Sequence, residues 1–176
     1  MISLLRHFKV KDNSKKWLNS NEFNQWAKDY DTFELEFKAI NLANNIDKFY
    51  VSSQNRAIKT ADFLNINYEV SNLLVEVPIE AFIDTKLKFP KWFWLLIGRL
   101  LWFFNLTKSE NKNETTKRVE TFISTIDLNS NVLIVSHGFF MMQFIKRLRF
   151  LGFEGNIPLK LKNSTIYNIS KKENIK

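Results

Sequence analysis

The chain has 176 residues, 45% of them hydrophobic and 25% charged, which fits one globular domain with its own core and excludes an intrinsically disordered chain. Cysteine is absent, which removes disulfides, thiolate nucleophiles and cysteine-ligated metals together and fits a reducing compartment, so the expected location is cytoplasmic. The net charge of +8 comes from 20 lysines and 6 arginines against 18 acids. The lysines are scattered, so the expectation is a solvated surface that draws in anionic substrates, with no nucleic-acid footprint.

The start, "MISLLRHFKV", has no basic segment ahead of a long apolar stretch and no small-residue cleavage pattern, so no secretory signal is expected. "ISLLR" reads as a short buried strand, and "FYVSS" and "NVLIVSH" repeat the pattern of β-branched or aromatic residues ending in small polar ones. Between them, "NRAIKTADFL" places Ala57, Thr60, Ala61 and Leu64 on one helical face, and "TTKRVETFISTI" does the same with Val119, Phe122, Ile123 and Ile126. "FFMMQFIKRL" is apolar nearly all round, as expected of a helix packed on a sheet, and "STIYNIS" reads as a last strand. Strands alternating with helices predict an α/β fold with a parallel sheet.

The stretch "FPKWFWLLIGRLLWFFNLT" holds three of the five tryptophans and a lone arginine, Arg99. It is too short and interrupted for a membrane span, which needs about 20 apolar residues. It reads as a core or lid helix in preference to an interfacial one, so membrane contact is not expected.

The two histidines, His7 and His137, each follow an apolar strand-like run. In open α/β sheets the carboxyl ends of strands face the ligand crevice, so both imidazoles are expected at one rim if their strands are neighbours. Arg6 stands beside the first, and Arg56 opens the helix after "VSS". Their forked donors match phosphate oxygens, and helix N-termini add backbone donors; Gly138 would let a bound group approach the second one uncrowded.

These segments together resemble the histidine phosphatase superfamily, the phosphoglycerate-mutase-like proteins. "LLRHFKV" is similar to that family's Arg-His-Gly signature, "VSSQNRAIKTADFL" to its Ser-Ser-x-x-x-Arg-Ala-x-x-Thr-Ala segment, "LLVEV" to its Leu-x-Glu segment and "VLIVSHGFF" to its Val-Ser-His-Gly turn. The motifs keep the family's order from position 4 to about 140. The resemblance implies a three-layer α/β/α sandwich with a mostly parallel central sheet and a helical, aromatic-rich cap insertion over about residues 78–112 of a single domain spanning 1–176. It further implies that His7 is the nucleophile of a metal-independent phosphatase, forming a phosphohistidine. Arg6, Arg56 and His137 would bind the phosphoryl oxygens, with His137 also counted as catalytic, and Glu76 would be the proton donor. No cofactor is implied, and the partner is a phosphorylated small molecule or phosphoprotein.

Phe8 replaces the family's glycine and must turn aside or narrow the pocket. Glu80, four residues beyond Glu76, competes as the acid if the segment is helical, but Pro78 argues for an extended path and favours Glu76. Two rival readings are a mutase-like phosphotransferase and a non-catalytic phosphate-binding or interaction module with peripheral membrane contact, in which Phe8 blocks attack. Arg118 is expected as a solvated or salt-bridging residue.

Overall fold

The computed structural model describes residues 1–172. In chain order the main elements are β1 (Ile2–Arg6), α1 (Ser20–Asp29), β2 (Lys48–Ser52), α2 (Asn55–Phe63), β3 (Glu69–Ser71), α3 (Lys91–Phe103), α4 (Lys112–Thr125), β4 (Val132–Ser136), α5 (Gly138–Phe150), β5 (Phe153–Glu154) and β6 (Ile166–Lys171). The strands form one sheet in the order β3-β2-β4-β1-β6-β5. β6 alone runs against the other five. Residues 2–5 of β1 are buried throughout, as a strand covered on both faces must be.

Alternation along β1 sends Leu5 to one face and Ile2 and Leu4 to the other. On the first face Ala57 and Ala61 of α2 pack with Leu5, Val51, Leu133 and Val135, their small side chains bringing the helix close to the sheet. On the second, α4 and α5 bring Val119, Phe122, Phe140 and Phe144 against Ile2, Leu4 and Ile134. The result is an α/β/α sandwich. Capping boxes fix where two helices begin, Asn19 with Glu22 in α1 and Asn111 with Glu114 in α4.

Above the sandwich, α1 and α3 make a smaller core of their own around Leu18, Phe23 and Trp94. Trp94 Nε1 donates to Leu18 O at 2.9 Å. Trp102 Nε1 donates to Thr115 Oγ1 at 2.9 Å and anchors α3 to α4. The aromatic segment is thus a cap helix with one buried face.

Phe122 is 1% exposed, with its ring 5.6 Å from that of Tyr50 and 5.9 Å from that of Phe144. Phe122→Ala removes this keystone between sheet and helices. It is expected to lower the unfolding free energy by about 3–5 kcal/mol in urea titration, whereas a loss under about 1 kcal/mol would contradict the packing described.

Candidate active site

β1 and β4 pair in parallel with Arg6 opposite Ser136, and the ladder continues one step further as His7 N donates to Ser136 O at 3.1 Å. The two histidines therefore emerge side by side, with ring centroids 5.0 Å apart. On the other flank of β4, β2 ends at Ser52, and the turn into α2 places Arg56 in that helix's first turn. Arg56 Nε donates to His137 Nδ1 at 3.1 Å. The structure thus brings together Arg6, His7, Arg56 and His137, remote in sequence, at the carboxyl ends of three adjacent strands.

The hydrogen bonds assign the imidazole protons. His7 Nδ1 lies 2.7 Å from Phe8 O, a pure acceptor, so Nδ1 carries the hydrogen and Nε2 keeps its lone pair. His137 Nδ1 accepts from Arg56, so its hydrogen sits on Nε2, which donates to Ser52 Oγ at 2.8 Å. Burial, then the Arg56 and Arg6 charges, lower His7 to about 3, against the opposing effect of the Phe8 carbonyl. Burial first and Arg56 second push His137 well below the usual range as well. Both rings stay neutral in a strongly cationic surrounding.

Arg56 is fully engaged. Besides His137, its Nη1 donates to Asp31 Oδ1 at 2.8 Å and its Nη2 to Gln54 Oε1 at 3.0 Å. Asp31 also accepts from the backbone N–H groups of Asn55 and Arg56, so one carboxylate neutralises the guanidinium and caps α2. Arg6 is different: Nη1 donates to Leu161 O at 2.7 Å, while Nε is buried without a partner among the described residues. A Cβ on Gly138 would lie 2.9 Å from Arg6 Cζ. The glycine thus makes room for the Arg6 guanidinium itself.

Glu76 follows the short 3-10 turn Asn72–Leu74, and Val75 is extended, so the path is not helical and Glu80 does not share a helix face with it. Its Oε1 accepts from the N–H groups of Val77 and Phe140 at 3.0 and 2.8 Å, and Oε2 from Phe139 at 3.1 Å. The carboxylate thus caps α5 beside His137. Glu80 is exposed but lines the same cleft of about 920 Å³ as Arg6, His7, Arg56 and Glu76. A second groove of about 530 Å³, on the far side of Arg6, is lined by Lys9, Lys38, Lys160 and Lys162.

Phe8 turns aside. Its ring is wholly buried, edge-on to Phe37 and Phe63, and does not line the cleft. Arg118, read as a salt-bridging or solvated residue, pairs with Glu110 through two bonds and donates to the Leu73 and Val75 carbonyls at 2.8 Å, which fixes the segment carrying Glu76. Asp31 and Gln54 escaped the sequence reading. Gln54 lay inside a quoted motif at a position of free choice, and Asp31 lies 25 residues from Arg56 in a polar stretch with no signal.

Each imidazole takes its proton at a lower pH in the folded chain than in the unfolded one, where the value is near 6.5. As pH falls from about 6.5 toward 3 the unfolded state therefore binds more protons, and stability falls with it. Both ring-proton NMR signals are expected to hold still between about pH 8 and 5, while the urea midpoint drops over the lower part of that range. A ring titrating near 6.5 contradicts the assignment.

Comparison with known proteins agrees with this fold. Three solved structures are similar over most of their length: an open reading frame product from Mycobacterium tuberculosis (13% identity, TM-score 0.58, covering 96% of this chain and 94% of that one), a phosphoserine phosphatase from Entamoeba histolytica (17%, 0.52, 94% and 87%) and a mycobacterial glucosyl-3-phosphoglycerate phosphatase (12%, 0.52, 94% and 87%). No curated protein sequence matches the chain. The sequence model of the histidine phosphatase superfamily (branch 1) matches residues 36–174, which takes in Arg56, Glu76 and His137 but leaves Arg6 and His7 to be placed by the strand pairing above. The chain belongs to the histidine phosphatase superfamily.

Proposed function

We propose that the protein is a phosphatase that hydrolyses a phosphomonoester, on a small molecule or a protein side chain, through a covalent phosphohistidine at His7 and without a metal. The observation that carries this reading is the hydrogen bond from His7 Nδ1 to Phe8 O, which leaves Nε2 unprotonated at the floor of a cleft shared with two arginines. Family membership and the proximity of His137 support it.

In this reading the phosphoryl group enters between Arg6 and Arg56. The uncommitted Arg6 Nε finds a partner there, and phosphoryl oxygens displace Asp31 and Gln54 from Arg56. An oxygen also takes the Nε2–H of His137 from Ser52. His7 Nε2 attacks phosphorus as the ester P–O bond breaks, and the cations hold the charge spread over the equatorial oxygens. Glu76 enters the reaction in its protonated form, the acid hydrogen on Oε2, which meets one backbone donor where Oε1 meets two, and gives that proton to the leaving oxygen. Water then attacks phosphorus, the P–N bond breaks, the water proton returns to Glu76 and inorganic phosphate departs.

Turnover of p-nitrophenyl phosphate is expected to survive chelator and to fall by about 10³-fold or more in His7→Ala. Alkaline denaturing quench of the wild-type protein during turnover is expected to trap one phosphoryl group on His7, because a P–N bond survives base and not acid; hydrolysis undiminished in His7→Ala overturns the reading. Glu76→Gln is expected to lower kcat by about 10²–10⁴-fold and Glu80→Gln by no more than a few-fold. The opposite ranking would move the proton donor to Glu80.

A further inference from the structure

α3 has three faces. Trp94, Gly98 and Trp102 are buried in the cap and core. Lys91, Leu95 and Arg99 line the cleft. The third stripe, Trp92, Leu96, Leu100 and Phe103, points to solvent with exposures of 63%, 51%, 46% and 49%. Phe104 and Leu106 extend it at 63% and 67%. A helix apolar on nearly every side belongs inside a protein or against something else, and contiguous apolar patches of this kind mark interaction surfaces.

We infer that this stripe docks on an anionic lipid surface, the helix lying in the headgroup plane. The charge around it selects that partner. From Lys86 to Lys108 the chain carries no acidic residue; Lys88 and Lys91 pair with Glu22 and Asp12 and Arg99 donates to the Val77 carbonyl, which leaves the exposed Lys86 and Lys108 as the cations beside the stripe. Lys112 Nζ sits 4.2 Å from the centre of the Phe103 ring, a third cation held against the end of the stripe. Large aromatic and leucine side chains on one face with lysines at the margin are what an interfacial helix presents to acidic headgroups. The 13-residue helix is about 20 Å long, and no helix among the described residues is long and apolar enough to cross a membrane, so this one lies on the surface. A second copy of the chain fits poorly, because it would bring an equally basic rim against this one. Docking would set the cleft at a fixed height above the bilayer through the Lys91, Leu95 and Arg99 face of the same helix. The inference stands apart from the catalytic reading, since none of the stripe residues lines the cleft.

The sequence reading placed this segment in a core or lid. The burial of Trp94 and Trp102 agrees with that reading, and the exposure of Trp92 does not.

The test is flotation with vesicles of phosphatidylcholine alone and of phosphatidylcholine mixed with phosphatidylglycerol. The full chain is expected to float with the mixed vesicles only, and less at high salt. Trp92→Ser with Leu100→Ser is expected to weaken binding by at least about tenfold, and Lys86→Glu with Lys108→Glu to do so without altering the apolar stripe. Circular dichroism and p-nitrophenyl phosphate turnover are expected to match wild type in both variants. Failure of the folded wild-type chain to float with anionic vesicles overturns the inference. So does a self-association, seen by sedimentation, that the serine variant dissolves while vesicle binding is unaffected.

Discussion

The parallel pairing of β1 with β4 is the constraint on which the rest depends. Its register sets Arg6 against Ser136, so the residues one step beyond, His7 and His137, leave the sheet together. Sliding one strand by a single residue would exchange the faces of Leu4 and Leu5 and part the two imidazoles. The same register is enforced by burial on both sides of the sheet, with Leu4 in one core and Leu5 in the other. Packing energy spread over the whole domain thereby fixes a pair of rings at its rim.

What the strands assemble, the charges then tune. Two imidazoles are held neutral by burial and by neighbouring guanidiniums, and a neutral ring is the one able to attack. The cations are held in two ways. Arg56 is paired with Asp31, while Arg6 keeps a buried Nε with no partner among the described residues. A buried donor without a protein partner is costly to hold. Asp31 in turn keeps Arg56 from standing as an uncompensated buried charge.

Much of this was legible in the sequence because it rests on local pattern. Short apolar runs ending in polar residues gave β1, β2 and β4, and the small residues Ala57 and Ala61 at helical spacing gave the close-packed α2. The four residues Arg6, His7, Arg56 and His137, which the structure brings together at one rim, were found the same way. Long-range choices were not legible. The carboxylate partner of Arg56 could be any of the 18 acids, and only the fold brings Asp31 to it. Phe8 could have blocked the cleft, and its burial beside Phe37 and Phe63 depends on a face of α2 that no local pattern reveals. The aromatic segment read as a single apolar block because composition does not say which of its faces find partners; α3 divides them among core, cleft and solvent.

The most direct measurement is a crystal structure of the protein with orthovanadate, whose trigonal-bipyramidal geometry imitates phosphorus under in-line attack. Convergence of the four groups predicts vanadium bonded to His7 Nε2, with its oxygens on the guanidiniums of Arg6 and Arg56 and Asp31 moved off Arg56. Vanadate seated instead in the lysine-lined groove beside Leu161, with the space between His7 and Arg56 unvisited, would contradict it.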